Sequence, residues 1–105
     1  MLRTDEILST IQMLHAEHLD VRTVTLALNV NDSAQTEQVL DAIRKQFGEI
    51  SILVNNAGGG TSGRPQTADE LPDADWLDTV NLNLTSVFRF CRAFLPSMKA
   101  RGRGN

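Results

Sequence analysis

The sequence predicts an α/β fold: a doubly wound, parallel sheet covered by helices. Two observations predict it. The apolar period switches between helical spacing and strict alternation as the chain proceeds. The segment ISILVNN, residues 50–56, is a short, nearly unbroken apolar run, the pattern of a parallel strand buried on both faces. Strands alternating with helices build parallel sheets, and their helical crossovers are right-handed.

The elements follow in order. From Asp5 to His18, Ile7, Leu8, Ile11 and Leu14 recur at helical spacing, and Thr4 with Asp5 and Glu6 suits a cap and a first turn facing the helix dipole. Residues 21–30 alternate through Val24, Leu26, Leu28 and Val30 and are rich in β-branched side chains, so they read as a strand. Asp32 with Gln35 resembles a capping box. Val39, Leu40, Ile43 and Phe47 then form a helical stripe that Gly48 ends with a left-handed turn. The second strand, residues 50–56, leads into GGGTSGRPQTADELP, a loop without hydrophobic period. Loops of that length in compact domains are usually functional. A long helix starting near Asp73 to Asp75 places Trp76, Val80, Leu84, Val87, Phe88, Cys91 and Leu95 on one face toward the core. Pro96 is expected to kink or end it. The predicted order is helix, strand, helix, strand, long loop, long helix.

Composition bounds the function. The 105 residues make one domain, and 41% apolar with 22% charged residues is ordinary for a soluble globular chain. No apolar run approaches the ~18 residues of a membrane span, and the acidic N-terminus is unlike a secretory signal, so no membrane association is expected and the chain reads as cytoplasmic. One cysteine, Cys91, allows neither an internal disulfide nor a multi-cysteine zinc site. A net charge of -3 offers no general attraction to nucleic acid.

Several residues stand out as candidates for chemistry. Asn83 falls in the middle of the predicted core-facing stripe, where an unpaired amide would cost roughly 1–3 kcal/mol; it therefore needs backbone groups, an ordered water or a catalytic network as partners. Asn55 and Asn56 end the second strand, and Ala57 and Gly58 follow at the carboxyl edge where ligands of open α/β sheets bind. A small Ala-Gly pair lets another molecule approach the backbone closely. Asn29 and Val30 end the first strand at the same edge. Residues 58–63 satisfy GxGxxG, but no helical stripe begins within the motif to present amides to a pyrophosphate, so it is rejected as a phosphate loop. His15 and His18 lack a third ligand and read as exposed helix residues, and no metal is expected. Cys91 reads as core. The basic end from Lys99 to Arg103 reads as cations at a helix C-terminus.

Together these segments resemble the short-chain dehydrogenase/reductase family. LALNVND resembles its adenine-contacting strand end, FGEISILVNNAG its fourth-strand signature, and DWLDTVNLNLTSVFRFCRAFLPSM its long helix with the active-site asparagine. Among subfamilies the segments lean toward 3-oxoacyl-acyl-carrier-protein reductases. The resemblance implies a partial Rossmann-like sheet and hydride transfer between NADP or NAD and a small carbonyl or alcohol substrate. It implies that Asn29 and Val30 line the adenine pocket, that Asn56, Ala57 and Gly58 lie along the cofactor near its ribose, and that Asn83 is the catalytic asparagine organising a proton relay. An arginine at position 3 would favour NADP. A homo-oligomer is expected.

The family's glycine-rich first turn and its YxxxK segment have no counterpart here, and the chain has no tyrosine. It therefore reads as a single incomplete domain over residues 1–105, inactive alone. In a 3-2-1-4-5-6 sheet its strands would be the third and fourth, about 14 Å apart at ~4.8 Å per strand, with nothing between them. They must then pair directly, remain unstable, or borrow strands from a partner. The competing reading is a non-catalytic module that associates with itself or with a full-length family member. RNA binding through the glycine loop and basic tail is a third reading.

Overall fold

The computed structural model describes residues 4–17, 21–60 and 67–105. Among the described residues four α-helices carry the fold: α1 over Thr4–Glu17, α2 over Ser33–Phe47, α3 over Asp73–Val80 and α4 over Ser86–Arg101, with a π-helical turn over Asn81–Thr85 joining the last two.

The caps of α2 follow the sequence closely. Asp32 Oδ1 accepts from the N–H groups of Ala34 and Gln35 at 2.9 and 3.1 Å, satisfying two donors of the first turn. Gln35 departs from the capping box. Its Oε1 accepts from the Asn29 N–H at 3.1 Å, because the Asp32 N–H is already taken by the Asn29 carbonyl at 2.9 Å. Gly48 ends the helix at φ 75° and ψ -143°, a positive φ but not the left-handed helical turn expected.

The long helix differs from its prediction in two ways. Of the two outcomes expected at Pro96, a kink or an end, the end is not seen: α4 continues to Arg101 and closes on Gly102 at φ 64°, ψ 19°. An interior proline costs about 3 kcal/mol. Here Phe94 and Met98, on either side of it, bury into the core, and Arg44 Nη2 donates to the Ala93 carbonyl at 2.9 Å, within the turn that Pro96 disturbs. The predicted core stripe is also not the buried one. Leu40, Phe94 and Met98 form the core, with Ile50, Leu53, Phe90 and Ala93 packed against it. Trp76, Leu84, Phe88 and Leu95 are exposed, and Cys91 is half-buried. Helix α4 is apolar on two sides, and α2 covers only the side at 90, 94 and 98, an i, i+4 series.

Neither predicted strand is paired. Among the described residues there is no sheet: residues 21–30 and 50–56 run without ladder partners, and Ile52 and Val54 are exposed. A strand is a property of a pair, so alternation alone cannot make one. What pairing exists comes from the chain's end. Asn105 donates to the Ser51 carbonyl at 2.9 Å, and Leu53 donates to the Asn105 carbonyl at 2.8 Å, the slanted pattern of parallel neighbours. A radius of gyration of 16.5 Å, against about 13 Å for a compact domain of this size, records how open the arrangement is.

Candidate functional site

The site is assembled where residues 53–59 pass the beginning of α4. A cavity of about 130 Å³ is lined by Val30, by residues 53–57 and by Ser86, Val87 and Phe90. The structure thus brings Val30, Asn56 and Ala57 together. Asn29 is not in the lining: its Oδ1 accepts from the Asn31 N–H at 3.0 Å and shapes the turn into α2.

Gly58 lies one residue past the cavity, at a clasp centred on Asn83. The Asn83 amide donates through Nδ2 to the carbonyls of Gly59 and Thr79, both at 2.7 Å, and its Oδ1 accepts from the Gly59 N–H at 2.9 Å. Asn83 is exposed rather than core-facing, which corrects the periodicity reading. Asn83 sits in the π-helical turn, in which the Ser86 N–H reaches back five residues to the Asn81 carbonyl, and Trp76, ahead of that turn on the same predicted face, is exposed too, so this face lies uncovered among the described residues. Both Asn83 amide hydrogens are nonetheless satisfied, by the neighbouring loop and by the helix's own backbone. A β-carbon at Gly58 would lie 2.7 Å from Asn83 Oδ1, so only glycine admits this approach.

Ser86, buried three residues after Asn83, donates through Oγ to the Leu82 carbonyl at 2.5 Å and fixes the far side of the turn. Gly59, Thr79 and Ser86 are parts of this arrangement that sequence reasoning missed. The glycine run after Gly58 was the available signal for Gly59; a π-helical turn leaves no periodic trace.

An apolar slot with amides in its lining suits one planar heteroaromatic ring, whose faces bury against side chains while its edge takes hydrogen bonds. Neither helix start at hand offers a cradle for a diphosphate. The start of α2 is filled by the Asp32 carboxylate, and α3 opens on Pro72 with Asp73 and Asp75 in its first turn. Residues 61–63 of the GxGxxG segment lie outside the described residues, and the next helix begins at Asp73. His18 and Arg3 likewise lie outside them, while His15 Nε2 and Thr23 Oγ1 share a hydrogen bond of 3.1 Å. Near the loop's end, a hydrogen bond from Thr67 holds the Asp69 carboxyl below its ordinary value. No helix of the described residues is long and apolar enough to cross a membrane.

Comparison with known proteins gives this arrangement its context. Residues 1–105 match the family described as short chain dehydrogenase. The chain is 39% identical over 89 residues to 3-oxoacyl-acyl-carrier-protein reductase FabG of Escherichia coli, covering 85% of this chain and 35% of that protein. The FabG reductase of Haemophilus influenzae is 40% identical over 79 residues, 75% of this chain and 31% of that protein. Among solved structures, L-sorbose reductase of Gluconobacter frateurii, crystallised with NADPH and L-sorbose, superposes with a TM-score of 0.80 at 30% identity, over 97% of this chain and 37% of that one. YwfH, an NADPH-dependent reductase of bacilysin biosynthesis, shares the fold with a TM-score of 0.81 at 24% identity, over 97% of this chain and 41% of that one. The chain spans about 35% of the length of the FabG reductase of Escherichia coli.

Proposed function

This chain belongs to the short chain dehydrogenase family, and from that premise we propose that it forms one wall of an NAD(P)H-dependent reductase acting on a small carbonyl or alcohol substrate. Val30 packs against the adenine, and Asn56 and Ala57 run beside the ribose. Asn83 positions the Gly58–Gly59 backbone at the cavity's edge and takes part in the proton relay implied by the family resemblance. The nicotinamide cofactor supplies the hydride when bound; the lean toward FabG makes a 3-oxoacyl thioester the first substrate to test and NADPH the first cofactor.

The observation that carries this reading is the three-bond clasp of Asn83 on Gly59 and Thr79 beside a cavity that contains Val30, Asn56 and Ala57. The residues fit the adenosine end of the cofactor and not its diphosphate. With no tyrosine in the chain, the general acid of the family is not among its side chains. The 105 residues alone are therefore inactive, and purified chain should not oxidise NADPH with a panel of ketones. Grafted in place of the matching span of the Escherichia coli reductase, they should support NADPH-dependent reduction of a 3-oxoacyl thioester. A folded graft that fails to bind NADPH would refute the proposal, as would turnover by the chain alone.

A second observation supports self-association. Phe88, Cys91, Leu95 and Pro96, with the cations Arg92 and Lys99 beside them, surround an open hollow of about 510 Å³ on the uncovered side of α4, with Phe88 57% and Leu95 49% exposed. A second copy of the chain covering this face accounts for such exposed apolar surface.

A further inference from the structure

We propose that the groove between α2 and the middle of α4 binds a phosphate dianion carried on a small molecule or a lipid headgroup. Arg44, Arg89 and Arg92 line this concavity of about 270 Å³ together with Ser33, Thr36 and Glu37. It shares no lining residue with the cavity at Val30 and residues 53–57, so the inference stands apart from the reductase reading.

Three guanidinium groups meet one carboxylate in the lining, in a chain whose net charge is -3, so the local excess runs against the whole molecule. The three cations are also held in place. Arg44 Nη2 donates to the Ala93 carbonyl at 2.9 Å with its guanidinium 6.0 Å from the Phe94 ring centre. Arg89 Nη1 donates to the Asn31 carbonyl at 3.3 Å. Arg92 lies over the Phe88 ring at 5.0 Å. Each of these contacts leaves guanidinium donors unused, since an arginine carries five.

Of the acidic groups nearby, Asp41 stands 3.7 Å from Arg44 Nη1 and Glu37 faces the groove. They offset part of the charge, not all of it. Thr36 spends its hydroxyl hydrogen on the Asp32 carbonyl at 2.8 Å, whereas Ser33 is exposed at the groove's upper end. Like charges fixed in one concavity repel until an anion enters, and preorganised guanidinium forks match phosphate oxygens bidentately. A phosphate monoester fits this pattern better than a carboxylate, because it presents three terminal oxygens to three guanidinium groups where a carboxylate presents two.

The test titrates the full chain with phenyl phosphate above the second phosphate pKa of about 6, followed by NMR. Saturable shifts at residues 33–37 and 89–92 are expected, with affinity falling as salt is raised. Arg92→Gln and Arg89→Gln should each weaken binding roughly fivefold or more, while Arg103→Gln, outside the groove, should leave it unchanged. Arg92 is exposed and its recorded contact is a ring face, so Arg92→Gln decides the matter if the Arg89 variant loses helical circular dichroism. A flotation arm uses phosphatidylcholine vesicles with and without phosphatidic acid. Retention on the acidic vesicles that Arg92→Gln abolishes assigns the phosphate to a lipid headgroup; saturation by phenyl phosphate without retention assigns it to a soluble molecule. Absence of saturation up to about 20 mM without vesicle retention overturns the proposal, and so does equal weakening by Arg103→Gln.

Discussion

A single amide joins two parts of the chain that are 24 residues apart. Asn83→Ala removes all three of its hydrogen bonds. Because the residue is exposed, the expected loss is about 1 kcal/mol of stability rather than the larger cost of a buried orphan; thermal melting measures it. Asn83→Asp is the sharper variant, since a carboxylate still accepts from the Gly59 N–H but faces two carbonyls it cannot donate to. It should cost at least as much as alanine, and in the graft it should lower kcat more than it raises KM for NADPH. Gly58→Ala should mimic Asn83→Ala by pushing Oδ1 aside, and the double variant should cost little more than either single one, because both break the same contact. Additive losses in that cycle would separate the two residues. Asp69 makes a pH-dependent contribution: its pKa is lowered in the fold, so what its bond to Thr67 adds is present above the ordinary carboxylate range and is lost as pH falls through the lowered value. An NMR titration of the Asp69 carboxyl against that of Asp69 in an unfolded peptide checks the sign. Asn83 was legible as a residue needing partners, but its partner Gly59 lies 24 residues away, and which segment passes beside a helix is not encoded in any period.

At the scale of elements, α2 and the beginning of α3 were readable because their signals are local. Asp32 caps through donors two and three residues away, and Gly48 and Gly102 adopt positive φ where the stripes stop. Asp32→Ala should therefore cost about 1 kcal/mol, visible as loss of helical circular dichroism with an earlier melt. Helix α4 was harder. It carries apolar residues on two sides, and periodicity picked the series through Leu84, Phe88 and Leu95, whereas α2 covers the series through Phe90, Phe94 and Met98. Pattern tells that a face is apolar; only the neighbouring element tells which apolar face is covered first. The strands did not form for the same reason in stronger form: residues 21–30 have alternating sequence without a ladder beside them, and residues 50–56 find only the single residue Asn105 to share backbone hydrogen bonds with.

At the scale of the whole molecule, the exposed side of α4 leads to a prediction about assembly. Size-exclusion chromatography with light scattering should give a dimer or larger, and Leu95→Glu, placing a charge in the hollow by Phe88 and Cys91, should shift it to monomer. A cooperatively melting monomer at all concentrations would contradict it. The resemblance to the short chain dehydrogenase family was carried by local segments, LALNVND, FGEISILVNNAG and the helix bearing Asn83, each of which lies within one stretch of chain. The cavity at Val30 and Ala57, the exposure of Asn83 and the arginine groove were decided by the tertiary structure. Each depends on which segments lie side by side, and such contacts between distant residues arise from packing and from the π-helical turn rather than from any repeat within one segment.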